Sequence, residues 1–300
     1  MNIQLPSLAH STSRTLWSLC AACLVVATGV ACTENGGTDS PTRPTPIGGG
    51  TGPVHYTAIA ASDGVGVGGS QVCPPLVDCP NGGGYVQIVA RRLRETRTVT
   101  VTNLSLPGAV LSPDLETLGD SLGRRPTGNL LQRAAPFVPQ PTTLLTVFAG
   151  GNDANTIAAG AAAQGSGGSA FIGAQVQGFA RDLVALLDTA RGRAPTAQVV
   201  VLNLPNLAAL PYANGLGPAE RTLLRETSVR ITTDAINPLA GRATIVDLMC
   251  DAQSYLPGNY SSDGFHPSDM GYAFIADRVW AAIQNGEAHP PPAASCAAMQ

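Results

Sequence analysis

No lysine occurs in these 300 residues, so all 17 basic side chains are arginine. Charged residues make up 12% of the chain and the formal net charge is -3. The arginines form no concentrated basic stretch, and the missing lysine reads as a compositional bias. Nucleic-acid binding requires a basic face, so that partner class is excluded. Long apolar runs are nearly absent too. Only Leu16 to Ala31 approaches spanning length, which excludes a polytopic membrane protein. Aromatics stand at 5% and histidines number 4, so any chemistry that needs an imidazole has few candidates. What is present is enough chain to bury one large core or two small ones, with Gly 34 and Pro 24 for long loops.

The amino-terminal end reads as an address. Arg14 precedes the apolar run, small residues close it, and the chain turns polar at Cys32, the pattern of an export signal over residues 1–31. Gly29-Val30-Ala31-Cys32 resembles a bacterial lipoprotein cleavage box with Cys32 as lipid acceptor, although Gly29 stands where Leu is usual. Residues 32–53, rich in Gly, Thr and Pro, are expected to form a flexible tether. A folded domain is expected over residues 54–285 and a Pro-rich tail over 286–300. Membrane contact is expected only through the signal or the lipid.

Export changes the meaning of the cysteines. Once Cys20, Cys23 and Cys32 are set aside, Cys73, Cys79, Cys250 and Cys296 form an even set in an oxidising compartment. Of the three possible pairings, Cys73–Cys79 with Cys250–Cys296 is preferred, the second bridge pinning the tail. No histidine lies near Cys73 or Cys79 and their spacing is not that of a zinc knuckle, so no metal is expected.

Strands and helices alternate along the domain. Val54 to Ala60, Thr98 to Asn103, Thr143 to Ala149, Gln198 to Asn203 and Ala243 to Leu248 read as strands. Gly84 to Glu95, Ser169 to Arg191, Pro218 to Leu239 and a last segment capped by Ser268 read as helices. Strands apolar on both faces, separated by helices, imply a five-stranded parallel sheet in a three-layer α/β/α sandwich.

In such sheets chemistry collects on the loops at the carboxyl ends of the strands. His266 is the one histidine on such a loop, with Asp263 three residues earlier, so one turn presents carboxylate and imidazole together. A serine nucleophile needs that base and its orienting acid, and Ser62 follows the first strand. The developing oxyanion needs donors, which the backbone amides of Ser62 and Gly108 and the side-chain amide of Asn152 supply from three loops.

These residues, with GGND at 150–153 and DGFHP at 263–267, make the chain resemble the SGNH branch of the GDSL hydrolases over about residues 54 to 285. The family order of Ser, Gly, Asn and His falls on Ser62, Gly108, Asn152 and His266, and its Asp-x-x-His on Asp263 and His266. The resemblance implies a flavodoxin-like sheet and acyl-ester substrates; separately, the residues give no sign of a cofactor, and none is expected. The usual Gly-Asp-Ser is Ala60-Ala61-Ser62 here, and an acid follows at Asp63.

Three other patterns are set aside. A literal Gly-Asp-Ser-Leu occurs at Gly119 to Leu122, but it trails a helical stretch, and choosing Ser121 would break the family order. Gly64 to Gly69 fits G-x-G-x-x-G, yet no helix follows directly and the second strand ends in Asn103 rather than an acid, so no dinucleotide is expected. Arg91, Arg92, Arg94 and Arg97 read as the solvated face and basic end of a helix. The expectation is an exported serine ester hydrolase acting on a small ester, an acetylated carbohydrate or a lysolipid. The competing reading is a non-catalytic surface lipoprotein that binds a glycan or a protein partner. The segments expected to shape the substrate are Gly64 to Gly84 and Ala154 to Gly168, both taken as loops.

Overall fold

The computed structural model describes residues 46–47, 50–288 and 291–300. The signal-like run, Cys32, most of the expected tether and His289 lie outside the described residues. Five strands form one parallel sheet: β1 (Val54–Ala60), β2 (Val99–Asn103), β3 (Leu144–Phe148), β4 (Gln198–Leu202) and β5 (Thr244–Val246), in the order β2-β1-β3-β4-β5. Buried apolar side chains such as Ile59, Val147 and Val201 run along the central strands, so the sheet must be covered on both faces.

The covering helices are α1 (Tyr85–Arg94), α2 (Pro113–Ser121), α3 (Leu130–Arg133), α4 (Gly151–Ala162), α5 (Gly168–Arg193), α6 (Pro218–Arg230) and α7 (Asp269–Asn285). Helices α1 and α7 pack together, while α4 packs with α5 and α6. The helical spacing of Val176, Phe179, Leu183, Leu186 and Leu187 turns one stripe of α5 into the core. In α7, Ser268 caps the first turn by accepting from the Gly271 amide at 3.3 Å.

Two differences from the sequence reading bear on the site. The segment from 154, expected as a loop, begins as helix α4, and only residues 163–167 separate it from α5. Its buried positions are Asp153, Ala154, Thr156, Ile157, Ala158, Gly160 and Ala161. With small residues on that face, the helix packs closely without the large apolar side chains that make a 3.6-residue period visible, while alanine itself favours helix. The helix expected over Pro218 to Leu239 is α-helical to Arg230, then widens into a π turn at Ile231–Ile236 and a 3-10 turn at Asn237–Gly241. Pro238 lacks an N–H and its ring crowds the carbonyl four residues earlier, so the α pattern cannot run through it.

Both cysteine bridges are present, Cys73–Cys79 and Cys250–Cys296. The second holds the tail against the strand ends, where Ala293 N donates to Asp247 Oδ2 at 3.2 Å and Asn206 Nδ2 to the Ala298 carbonyl at 2.8 Å. At the opposite end of the sheet Ile47, within the stretch expected as tether, is buried and its amide donates to Gln198 Oε1 at 2.8 Å. Among the described residues no helix is long and apolar enough to cross a membrane.

Candidate active site

The chain leaves β1 for β2 on one side and later returns to place β3 on the other. Loops therefore diverge above β1 and open a crevice at this switch point. Ser62 begins the turn that follows β1 and sits in that crevice. The turn is tight because Gly64 lies against Ser105, where an added Cβ would fall 1.9 Å from Ser105 Oγ. Asn103 Nδ2 donates to the Gly64 carbonyl at 2.7 Å and fixes the turn from the β2 side.

His266 arrives from the loop before α7. Gly264 adopts a φ of +70°, and a Cβ there would stand 2.6 Å from the Tyr212 amide nitrogen, so the turn between Asp263 and His266 closes only with glycine. Asp263 Oδ1 accepts from Ser261 Oγ at 2.9 Å and from the amides of Phe265 and His266 at 2.8 and 2.9 Å. Its Oδ2 lies 2.6 Å from His266 Nδ1, and His266 Nε2 lies 2.9 Å from Ser62 Oγ. With Nδ1 protonated, the ring donates to Asp263 and Nε2 accepts from the Ser62 hydroxyl. Partial burial works to raise the Asp263 carboxyl, but the bonds from the His266 ring, the two amides and Ser261 outweigh it and hold it at about 2. It is thus a carboxylate throughout the neutral range.

Gly108 and Asn152 flank the serine. Gly108 takes a φ of +80° in the loop after β2, and its carbonyl accepts from Thr127 N at 3.3 Å. Asn152 stands in the first turn of α4, its Nδ2 donating to the Ala109 carbonyl at 2.8 Å. That bond occupies one amide hydrogen and aims the other away from Ala109. The Ser62 and Gly108 amides have no acceptor among the described residues.

A residue the sequence reading missed stands next to Asn152. Asp153 is buried, and its Oδ1 accepts from the Leu111 amide at 2.7 Å, so the start of α4 holds the Gly108 loop by two side chains. Burial pushes this carboxyl up to about 7, against the opposing pull of its backbone donors. Its folded pKa is thus raised above the ordinary 3.8, and a raised acid contributes stability that is full below the unfolded value and lost as pH rises through the folded one. We expect the melting temperature to fall between pH 5 and pH 8, and Asp153→Asn, which keeps an acceptor for Leu111, to flatten that fall. Parallel pH profiles of melting for the two proteins would exclude this role.

Two spaces meet at Ser62. The inner one is a narrow cavity of about 60 Å³, walled by Phe148, Leu204, Leu207, Leu210, Phe274 and Ile275, with Ser62 and Asn152 also on its lining. Its β4-side wall is anchored by the helix behind it, where the Leu207 amide donates to Ser228 Oγ and the Leu204 amide to Thr232 Oγ1, each at 3.3 Å. Asp63 also lines this cavity. Burial pushes its carboxyl up, the neighbouring His266 pulls it down, and Asp263 adds to the rise. The outer space is an open cleft of about 560 Å³ that includes His266, Gly108, Arg124 and Tyr212. An aromatic wall backs it, Tyr212 edge-on to Phe265 and Phe265 edge-on to His266, each pair at 5.0 Å between ring centroids.

The other sequence patterns lie elsewhere. Ser121 ends α2, exposed, with its hydroxyl donating to the Leu118 carbonyl at 2.7 Å. The Gly64–Gly69 loop packs against the site, and a Cβ on Gly68 would fall 2.7 Å from His266 Cβ. The arginines of α1 and the segment after it are engaged: Arg92 with Asp277, Arg94 with Asp78, Arg91 with the Gly82 carbonyl and Arg97 with the Ile47 carbonyl. No group of three or more His, Cys, Asp or Glu among the described residues is placed to hold a metal ion.

The GDSL-like lipase/acylhydrolase family matches residues 61–274. Among solved structures the chain is similar to the lipase Lip_vut3 from a goat rumen metagenome, at 17% identity over 76% of this chain and 97% of that one, with a TM-score of 0.52. It is also similar to phospholipase A1 from Streptomyces albidoflavus NA297, at 20% identity over 78% of this chain and 99% of that one, TM-score 0.52. At these identities the likeness is one of fold. No curated protein sequence matches significantly.

Proposed function

For this chain, which belongs to the GDSL-like lipase/acylhydrolase family and is an ester-cleaving hydrolase, we propose an exported serine esterase that works through an acyl-enzyme on Ser62. The observation that carries the reading is the continuous relay from Ser62 Oγ through His266 to Asp263, at 2.9 and 2.6 Å. Ser62 Oγ attacks the ester carbonyl while His266 Nε2 takes its proton, and Asp263 stabilises the imidazolium that forms. The Ser62 and Gly108 amides and the Asn152 side chain serve as the oxyanion donors, each worth about 10²–10³ in rate when ideally placed. His266 then protonates the leaving alcohol. Water repeats the attack with His266 as base and releases the acid.

The inner cavity suits the acyl group of a small ester, an acetylated carbohydrate or a lysolipid. At about 10–15 Å³ for each water-sized probe position, its 60 Å³ holds about four to six such positions, which favours a short acyl chain. Export is supported by the apolar run before Cys32 and by the two disulfides. On this reading Cys32 carries the lipid anchor.

A fluorophosphonate probe tests the assignment of the nucleophile. Labelling and p-nitrophenyl butyrate hydrolysis are expected in the wild type and in Ser121→Ala, and both are expected to vanish in Ser62→Ala. A Ser62→Ala protein that still labels would sink the assignment.

A further inference from the structure

The two spaces at Ser62 differ in which catalytic group they touch. His266 lines the outer cleft and not the inner cavity, whereas apolar side chains make up most of the inner lining. The group that His266 protonates is the leaving alcohol, so the alcohol belongs in the outer cleft once the acyl chain fills the inner one. Arg124 stands on that outer lining and is the only arginine there. It follows the Gly119–Gly123 turn, where its amide donates to the Gly119 carbonyl at 2.9 Å. Unlike the α1 arginines, its guanidinium makes no hydrogen bond or ion pair among the described residues. On the same lining the Tyr212 hydroxyl donates to Asn155 Oδ1 at 3.2 Å, and burial raises that hydroxyl to about 12 while the Asn155 bond and then the charge of Arg124 pull it back. The guanidinium is therefore within electrostatic range of the Tyr212 hydroxyl.

An unpaired guanidinium at the alcohol side of an ester site has one evident complement. Its planar fork matches the oxygens of a phosphate or a carboxylate. We propose that the preferred substrates carry an anionic group on the alcohol moiety, a phosphate or a carboxylate, held by Arg124 in the outer cleft. The proposal rests on the ester-hydrolase reading above and narrows its substrate class.

The test uses the full chain and four butyryl esters in two matched pairs. These are the esters of glycerol and glycerol phosphate, and those of methyl glucoside and methyl glucuronide. We expect kcat/KM about fivefold higher for the charged member of at least one pair at low ionic strength, with the advantage shrinking in salt. Preference confined to the first pair identifies a phosphate, preference confined to the second a sugar carboxylate, and preference in both an anion of either kind. Arg124→Gln is expected to bring the ratio to about one, whereas Arg125→Asn, which removes the same charge from outside the cleft lining, should retain it. Ratios near one in the wild type, or ratios unchanged in Arg124→Gln, would overturn the proposal while leaving the esterase reading intact. Failure to cleave any of the four esters or p-nitrophenyl butyrate would remove that reading, and the proposal with it.

Discussion

Asp263→Asn is expected to lower kcat by about 10⁴ with little change in melting temperature, by the tautomer effect known for such relays. The direction follows from how the carboxylate is held. Three donors converge on Oδ1, from Ser261, Phe265 and His266, and two of them are backbone amides that cannot turn into acceptors. An asparagine must therefore put its oxygen in the Oδ1 position, which turns its NH₂ toward His266 Nδ1. The ring then accepts at Nδ1 and carries its proton on Nε2, where it donates to Ser62 instead of receiving from it. Steady-state kinetics on p-nitrophenyl butyrate, paired with thermal melting, check this. A variant that keeps more than a tenth of wild-type kcat would show that His266 does not need Asp263 to choose its tautomer. Against partial burial, the His266 ring bond at Oδ2 and these three donors at Oδ1 together hold Asp263 at about 2. Its folded pKa is depressed below the ordinary 3.8, so the stability it contributes is present above that value and is lost as pH falls through about 2.

Serine substitution of both Cys250 and Cys296 is expected to cost up to about 4 kcal/mol of unfolding free energy, and of both Cys73 and Cys79 about 2 kcal/mol, by the loop-closure model. The contrast arises because the first bridge spans 46 residues and the second 6. The unfolded chain regains more freedom from the longer loop. Release of the longer bridge also frees a tail whose Ala298 carbonyl accepts from Asn206 beside the inner cavity. Urea unfolding of the two double variants measures the difference, provided the slopes stay equal. Equal losses from the two bridges would rule out loop length as the source of the stabilisation.

How much of this was legible in the sequence depends on the kind of residue that does the work. Most strands could be read because their apolar runs are dense, and β2 because valine and threonine alternate in it; Val54–Ala60 begins and ends where the pattern places it. Asp263 and His266 could be read as a pair because three residues of one turn separate them. Helix α4 could not, because its buried face is mostly small and leaves no amphipathic trace. Asp153 looks like the polar end of a GGND stretch until its bond to Leu111 shows that it holds the Gly108 loop.

Of the 4 histidines only His266 stands on a loop at the carboxyl end of a strand, so the sequence alone singles it out as the candidate base. The chain by itself determined the alternation of strand and helix, since hydrophobic period and capping are local properties. It also determined the order in which Ser62, Gly108, Asn152, Asp263 and His266 appear. Only the tertiary structure decided that β1 lies between β2 and β3, because strand neighbours are chosen by packing rather than by sequence distance. The tertiary structure also packs α7 on α1 and brings His266 to Ser62 across 204 residues. The fold also places Arg124, one arginine among 17, on the lining of the outer cleft, where its guanidinium has no partner among the described residues.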